Sequence, residues 1–271
     1  MVRVLTLNLQ HAAPARTAAD AGGPAGAATV RRAGDEIAGV GADVVLLQEV
    51  DRGVRRSGGL DQAAVLADRL GMSYRFAASL AATRGGSLLP TRTSTPGRGY
   101  GVALLTRLPV TSWHVRRLRG GGPGRRRGHP PWLPHGWSWD VGRVLLAAVL
   151  RTEDGPLSVG VTHLSVVPVV ARRQLAVAAR ALLTLPGPHL LGGDLNLAPG
   201  PLSASEVVPG LLAPLATGLT FTNARPRTQI DHLLGAGLVA AGPAEVHHLS
   251  VSDHAGLSVD VRRAHRPAVG G

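Results

Sequence analysis

His189-Leu190-Leu191-Gly192-Gly193-Asp194-Leu195-Asn196 is the stretch that decides the fold of this chain. Its apolar start predicts a short buried strand, and its end places two small polar side chains at the tip of that strand. In an extended segment, Asp194 and Asn196 lie two residues apart and therefore face the same way. The two glycines allow a close backbone approach beside them. A single aspartate beside a strand is usually a turn or capping residue, so a functional interpretation requires partners elsewhere in the chain.

Polar side chains stand at or beside apolar runs at several other points of the sequence. The full set is Asn8, Glu49, His163, Asp194, Asn196, Asp231, Asp253 and His254. If the predicted strand ends converge, these side chains form an oxygen-rich site with two imidazoles and no sulfur, which suits Mg²⁺ better than zinc. A carboxylate beside a histidine can fix the tautomer of the ring and stabilise its cation. Such a set favours hydrolysis of a phosphoester by an activated water.

Apolar periodicity predicts strands interleaved with a few helices. Strands are expected at 2–8, 43–50, 100–106, 144–150, 157–164, 189–196 (a strand with its loop), 228–234, 244–249 and 257–261, and helices at 30–40, 60–70 and from Pro168 onward. This order predicts an α/β (α+β) fold in which two sheets pack face to face with helices outside. A single domain is expected over residues 1–262, followed by a flexible tail over 263–271.

Residues 114–142 are rich in Gly, Pro and Arg and hold three of the four tryptophans. A long loop is expected there, and loops of this length are usually functional or disordered. Trp132, Trp137 and Trp139, together with Arg125 to Arg127, suit three roles equally well. They fit stacking on bases, contact with a lipid surface, or cover for the protein's own core.

The composition excludes several classes of protein. Hydrophobic residues make up 44% of the 271 residues, which is typical of a globular chain and not of a disordered one. The chain has no cysteine, so disulfides and thiolate metal sites are excluded. The N-terminus lacks the pattern of a signal peptide and no apolar run is long enough to span a bilayer, so a cytoplasmic location is expected.

The formal net charge is +12, and every basic residue is an arginine. One interpretation is a phosphate-rich partner, either nucleic acid or an anionic membrane surface. The other is a coding bias towards Arg, Ala, Gly and Pro, which says nothing about partners. No obligate protein partner is inferred.

Six motifs in order, LTLNL, LLQEV, VTHLS, GGDLN, QIDHLL and VSDH, resemble the endonuclease/exonuclease/phosphatase superfamily, the deoxyribonuclease-I-like group. The resemblance runs from residue 2 to about 262. It implies a four-layered α/β/β/α sandwich of two mixed sheets flanked by helices. It also implies hydrolysis of phosphoesters with Mg²⁺, for which Mn²⁺ often substitutes.

The resemblance implies a role for each residue of the set. Glu49 would be the principal metal ligand, assisted by Asn8 and Asp253 directly or through water. His254 would be the general base or the imidazolium that faces the phosphate, oriented by Asp231. Asp194 would position or deprotonate the attacking water, and Asn196 and His163 would donate hydrogen bonds to the phosphoryl oxygens. Which of Asp194 and His254 takes the proton stays open. Two weaker candidates are His11, which could reach the pocket rim, and Arg143, before VLLAAVL, as a phosphate-facing arginine.

Three functions remain in view at this point. The first is a metal-dependent phosphodiesterase or phosphatase acting on a phosphoester substrate, and the second is a DNA or RNA nuclease of the same fold. The third is a catalytically silent, arginine-rich module that binds nucleic acid or anionic lipid. The intact set of carboxylates and histidines argues against the third, because binding alone does not require a His–Asp pair.

Overall fold

The structure, a computed structural model, describes residues 1–15, 26–83, 88–91, 97–125, 137–203 and 208–264, with the side chains at 123–125, 137–139 and 208–209 not described. The strands are β1 (Val2–Asn8), β2 (Val44–Arg52), β3 (Ser73–Ala82), β4 (Leu88–Pro90), β5 (Gly99–Thr106), β6 (Val110–Leu118), β7 (Gly122–Arg125), β8 (Trp137–Asp140), β9 (Arg143–Thr152), β10 (Gly155–His163), β11 (His189–Asp194), β12 (Ala213–Pro214), β13 (Asp231–Ala236), β14 (Leu238–Ala240), β15 (Glu245–His247) and β16 (Gly256–Arg263). The helices are α1 (Ala27–Val40), α2 (Gln62–Leu70), α3 (Pro168–Leu183), α4 (Pro199–Ser203) and α5 (Val208–Leu211), and short 3₁₀ turns cover Gln10–Ala12 and Arg55–Ser57.

Two mixed sheets form the centre of the fold. The first has the strand order β14-β16-β1-β2-β5-β3-β4, with β15 also paired to β16. The second has the order β12-β13-β11-β10-β9-β6. β1 and β2 are parallel, as are β10 and β11, whereas the neighbouring ladders are antiparallel. The predicted pair of mixed sheets is therefore confirmed.

Side-chain alternation along the strands produces the layers. In β1, Leu5 and Leu7 pack against α1 and α2, whereas Val2 and Val4 point into the core between the two sheets. In β9, residues 144, 146, 148 and 150 face that inter-sheet core, and Leu145 packs towards α3. The order of layers is helices, sheet, sheet, helix, which confirms the four-layered sandwich.

The described residues within 114–142 do not form the single long loop that the sequence predicted. Residues 114–118 continue β6, an edge strand of the second sheet, and β7 pairs with β8 as a separate two-stranded ladder. The exposed side chains of an edge strand are often charged, so β6 does not show a clean apolar pattern. Residues 126–136, with Trp132, lie outside the described residues. So do 265–271 of the predicted tail, whereas Arg263 still belongs to β16.

Asp140 fixes the base of the β7–β8 hairpin. Its Oδ2 accepts a hydrogen bond from the backbone N–H of Gly121 at 2.9 Å, and its Oδ1 accepts one from the Ser165 hydroxyl at 2.8 Å. Ser165 follows the end of β10 by two residues. The hairpin is thus attached beside the strand end that carries His163.

Candidate active site

The candidate site lies where strand ends of both sheets meet. Asn8 ends β1, His163 ends β10 and Asp194 ends β11. β13 runs antiparallel to β11, so its first residue, Asp231, lies directly opposite Asp194 in the register. His254 is in the segment that leads into β16, and its backbone pairs with Phe221 in an isolated bridge. The convergence of these strand ends therefore follows from the sheet topology.

Asp194 is the centre of the site. Its Oδ2 accepts a hydrogen bond from Nδ2 of Asn8 at 3.0 Å and lies 3.5 Å from Nε2 of His163 and 3.8 Å from Nε2 of His254. Its Oδ1 accepts a hydrogen bond from the backbone N–H of Asn196 at 3.0 Å. Burial, reinforced by the charge of Asp231, raises the pKa of Asp194 to about 7, against the opposing effect of His254. A carboxyl group with this pKa can gain and lose a proton near neutral pH.

His254 and Asp231 form a buried pair. Nδ1 of His254 donates to Oδ2 of Asp231 at 2.8 Å, which leaves Nε2 facing Asp194. Burial lowers the pKa of His254, but the charge and hydrogen bond of Asp231 outweigh it and raise the pKa to about 10. The Phe221 ring packs against the imidazole with centroids 4.9 Å apart. His254 is therefore held as an oriented imidazolium.

Glu49 enters the site from a bulge in β2. The register with β5 shifts between Leu47 and Val50, and Glu49 has a φ of 55°. Its Oε1 accepts a hydrogen bond from Nδ2 of Asn8 at 3.3 Å. Burial raises the pKa of Glu49, the Asn8 hydrogen bond and the charge of His254 oppose the rise, and the charge of Asp253 adds to it. Two carboxylates that repel each other in this way suit a shared cation.

The donor set fits a hard divalent cation. Glu49 and Asp253 supply carboxylate oxygens, but Oδ1 of Asn8 already accepts the backbone N–H of Gln10 at 3.0 Å. Asn8 therefore offers its amide N–H to the neighbouring carboxylates. A second set also has suitable geometry, because ligand atoms of Asp194, Asp231 and His254 all lie within 4.8 Å of one another. Oδ1 of Asp231 is buried and has no hydrogen-bond partner in the described part of the chain.

Three further predicted residues have defined surroundings. Burial lowers the pKa of His163 well below its usual value, and the charges of Arg143 and His254 add to this, so the ring is neutral. Nδ2 of Asn196 donates to the backbone carbonyl of Leu164 at 3.0 Å, which commits one of its two amide hydrogens. Asp253 lies at the edge of the site, with its Oδ1 4.0 Å from Nε2 of His254 and its side chain 37% exposed.

Two residues that the sequence analysis missed join the site segments together. The Ser252 hydroxyl donates to the backbone carbonyl of Asn8 at 2.6 Å and accepts the backbone N–H of His254 at 3.0 Å. Oε1 of Gln10 accepts the backbone N–H of Asp253 at 3.1 Å. The motif VSDH offers Ser252 as a signal, because it stands beside two candidate residues, whereas nothing in the sequence marks Gln10.

Backbone strain is concentrated in these same segments. Among the described residues other than glycine, a positive φ occurs at Gln10, His11, Ala12, Glu49, Asn196 and Ser252. Each belongs to the site or to a segment that contributes to it. Strained backbone of this kind clusters at functional sites, which supports a functional role for this one.

A family model for the endonuclease/exonuclease/phosphatase family matches residues 5–254. This chain belongs to the endonuclease/exonuclease/phosphatase family. The resemblance seen in the six motifs is thereby confirmed. Among curated proteins, no relative matches the chain.

Solved structures share the family fold with this chain. An endonuclease/exonuclease/phosphatase from Beutenbergia cavernae is 22% identical, with a TM-score of 0.67, over 99% of this chain and 73% of that one. A mannosyl-6-phosphatase from Bacteroides thetaiotaomicron is 15% identical, with a TM-score of 0.67, over 97% and 100%. The D. rerio protein TDP2, complexed with a single-strand DNA product, is 14% identical, with a TM-score of 0.64, over 96% and 98%. At these identities the likeness shows the fold alone.

The described part of this family member contains no helix that is both long enough and apolar enough to cross a membrane.

Proposed function

We propose that this chain is a divalent-metal-dependent phosphoesterase, a phosphodiesterase or phosphatase that hydrolyses a phosphoester with an activated water. One observation carries the proposal. The His254 ring is bonded to Asp231 at 2.8 Å through Nδ1 and faces Asp194 at 3.8 Å through Nε2. A histidine that is fixed by one buried carboxylate and directed at a second is suited to moving protons and stabilising charge.

Asp194 takes the proton of the attacking water in this proposal. Its pKa of about 7 makes it a base matched to neutral pH, whereas His254, with a pKa of about 10, already carries a proton. As the water oxygen bonds to phosphorus, the ester oxygen leaves with the electron pair of the broken bond. His254 and neutral His163 donate hydrogen bonds to the phosphoryl oxygens as negative charge accumulates.

Mg²⁺, with Mn²⁺ as a substitute, is the cofactor that we propose. Glu49 would be its principal ligand and Asp253 would assist. Asn8 would hold Glu49 through its amide N–H and assist the cation through Oδ1, which accepts the backbone N–H of Gln10 and keeps a second lone pair. When bound, the cation would neutralise the phosphoryl oxygens. The mutual repulsion of Glu49 and Asp253 supports this assignment, because a cation relieves it.

The substrate is proposed only as a phosphoester. Two fold neighbours carry names of phosphoester chemistry, a mannosyl-6-phosphatase and a TDP2 protein with a DNA product, and this supports the type of bond. The net charge of +12 supports an anionic substrate. It also keeps nucleic acid and an anionic membrane surface among the proposed partners.

The test begins with purified protein that is stripped with chelator and reloaded with Mg²⁺ or Mn²⁺. A phosphomonoester, a phosphodiester, plasmid DNA and vesicles of a choline phospholipid are assayed side by side. We expect metal-dependent turnover of one class, and a loss of about 10²- to 10⁴-fold in His254→Gln. The matched control is His114→Gln, because His114 is an exposed histidine on β6; its turnover is expected to equal that of the wild type.

Salt dependence assigns the substrate class. A steep fall in turnover of DNA with rising salt indicates the nuclease alternative, since each phosphate contact releases counterions. Turnover that is equal in wild type and His254→Gln contradicts the proposed site. Binding of DNA or vesicles without metal-dependent turnover of any substrate indicates the silent binding module.

A further inference from the structure

Arg143 is a partly buried cation beside the candidate site, and it has no partner among the residues that the structure describes. It is the first residue of β9, the strand that pairs with β10, which ends at His163. Its Nε is buried and has no hydrogen-bond partner, and its guanidinium forms no ion pair within the described residues. Arg117, which is also partly buried, and the more exposed Arg56 both have hydrogen-bond partners. Arg56 donates two hydrogen bonds to Asp51 at 2.8 Å each, and Arg117 donates to backbone carbonyls.

The charge of Arg143 acts on groups of both sheets. In the second sheet it adds to the effect of burial in lowering the pKa of His163. In the first sheet it opposes the burial-driven rise in the pKa of Glu49 and of Tyr100. The guanidinium is therefore close enough to His163 and Glu49 for its charge to act on both.

An unpaired charge of this kind is costly to the folded protein. In an arginine with a structural role, hydrogen bonds to a carboxylate or carbonyl partner offset that cost, as they do for Arg56 and Arg117. Arg143 has no such partner within the described residues, and it stands next to the groups to which we assign a phosphoester. The missing partner is therefore expected to be an anion that arrives with the ligand.

We propose that Arg143 is a substrate-binding residue, whose guanidinium pairs with non-bridging oxygens of the phosphoryl group of the substrate and of the phosphate product. This rests on the proposed function, since it specifies how the same site holds its phosphate. The planar fork of a guanidinium can bind two such oxygens through two parallel N–H bonds in a fixed geometry, which the single nitrogen of an ammonium group does not offer. These oxygens are charged before and during the reaction, so Arg143 contributes mainly to binding and less to the rate of the bound complex.

The experiment compares three variants with the wild type, using inorganic phosphate as the probe. Binding of phosphate to the Mg²⁺-loaded proteins is measured by calorimetry. Arg143→Gln is expected to weaken it by about 10- to 100-fold, the usual effect of losing a charge-assisted hydrogen bond, and Arg143→Lys by less. Arg151→Gln is the matched control, because Arg151 is an exposed arginine at the other end of the same strand. Its affinity is expected to stay within about twofold of the wild type.

Thermal unfolding separates ligand binding from a structural role. A buried cation without its ligand lowers the stability of the folded protein. Arg143→Gln is therefore expected to unfold at the same temperature as the wild type or higher. Where turnover is measurable, the variant is expected to raise KM more than it lowers kcat.

These results test the binding role of Arg143 separately from the proposed catalytic function. Phosphate affinity in Arg143→Gln equal to that in Arg151→Gln overturns it, even if the wild type is an active enzyme. Weaker phosphate binding in Arg143→Gln supports it, even if no substrate tested is turned over. If Arg143→Gln does not fold, the affinity of Arg143→Lys decides: a several-fold loss supports the proposal and wild-type affinity overturns it.

Discussion

The environments of Asp194 and His254 raise the pKa of both groups above their ordinary values. Burial and Asp231 raise the pKa of Asp194 to about 7, and Asp231 raises that of His254 to about 10 against the effect of burial. Near neutral pH the imidazole is therefore charged, while the carboxyl group exchanges its proton. Pairs of groups separated in this way divide the roles of acid and base at a site.

Removing the charge of Asp231 should shift the alkaline side of the activity profile. Asp231→Asn takes away the largest effect that raises the pKa of His254, so the imidazolium is lost at lower pH. We expect the alkaline limb of kcat/KM to move down from near pH 10 by about one to three units. Asp154→Asn, which changes an exposed aspartate in the β9–β10 turn, should leave the profile in place. An unchanged alkaline limb in Asp231→Asn would contradict the role given to the imidazolium.

The raised pKa of Asp194 should appear in the pH dependence of stability. The unfolded chain loses this proton near pH 3.8, and the folded chain retains it to about pH 7, so rising pH destabilises the folded state between these values. Relative to Asp194→Asn, the wild type should lose up to about 1.4 kcal/mol of unfolding free energy per pH unit in this window. Urea denaturation of both proteins at pH 4, 5.5, 7 and 8 measures the difference, which should level off above pH 7. Parallel curves for the two proteins would show that the pKa is not raised.

At the scale of elements, β11 is shaped by its two glycines. Gly193 has a φ of 143°, and a Cβ there would lie 1.9 Å from the carbonyl oxygen of Thr162 in β10. A Cβ at Gly192 would lie 2.6 Å from the Leu46 side chain of the other sheet. The close approach predicted for the two glycines therefore occurs in two places. Gly193 allows β11 to approach β10, and Gly192 allows the two sheets to approach each other. This approach brings Asp194 to the end of the strand within reach of Asn8.

Gly193→Ala should therefore disrupt the strand that carries Asp194. The clash is with backbone and the φ is one that side chains rarely adopt, so we expect a loss of about 3 kcal/mol or more in unfolding free energy. Gly200→Ala is the matched control, because a Cβ at Gly200 meets nothing within 4 Å. Chemical denaturation of both variants measures the contrast. Equal stability of the two variants would mean that the approach of β10 and β11 is not as tight as described.

The sequence predicted most of the central strands because their apolar runs are long. β1, β5, β9 and β10 lie where the runs indicated, and α3 begins at the predicted Pro168. β3 was missed, because its alanine-rich sequence SYRFAASLAA does not alternate between apolar and polar residues. Glu49 was expected at a strand end and lies in a bulge, which depends on the register with β5 and leaves no mark in the local sequence. The hydrogen bonds that Asn8 donates through Nδ2 could not be predicted from the sequence either, because they depend on the positions of Gln10 and Asp194.

At the scale of the whole molecule, the site exists only while the two sheets are packed together. Asn8 and Glu49 come from the first sheet, and His163, Asp194 and Asp231 come from the second. The hydrogen bond of 3.0 Å between Asn8 and Asp194 joins them directly. A ligand that contacts both groups should therefore stabilise the packing of the sheets.

Metal binding should accordingly raise the unfolding temperature. A cation that binds only the folded chain stabilises it by mass action, by about 2.7 kcal/mol at a concentration of 100 times its Kd. Calorimetry with increasing Mg²⁺ should show this shift in the wild type and in Glu153→Gln, an exposed glutamate of the β9–β10 turn. Glu49→Gln should lose most of the shift. A full shift in Glu49→Gln would assign the metal to other residues.

The most direct test of the account is hydrolysis in ¹⁸O-labelled water, followed by mass spectrometry of both products. With Mg²⁺-loaded wild type and the phosphoester that it turns over, we predict that the label enters the phosphate-containing product. We also predict that label transfer almost disappears in His254→Gln and Asp194→Asn. Label in the alcohol product, or equal labelling of phosphate by wild type and both variants, would contradict water attack on phosphorus at this site.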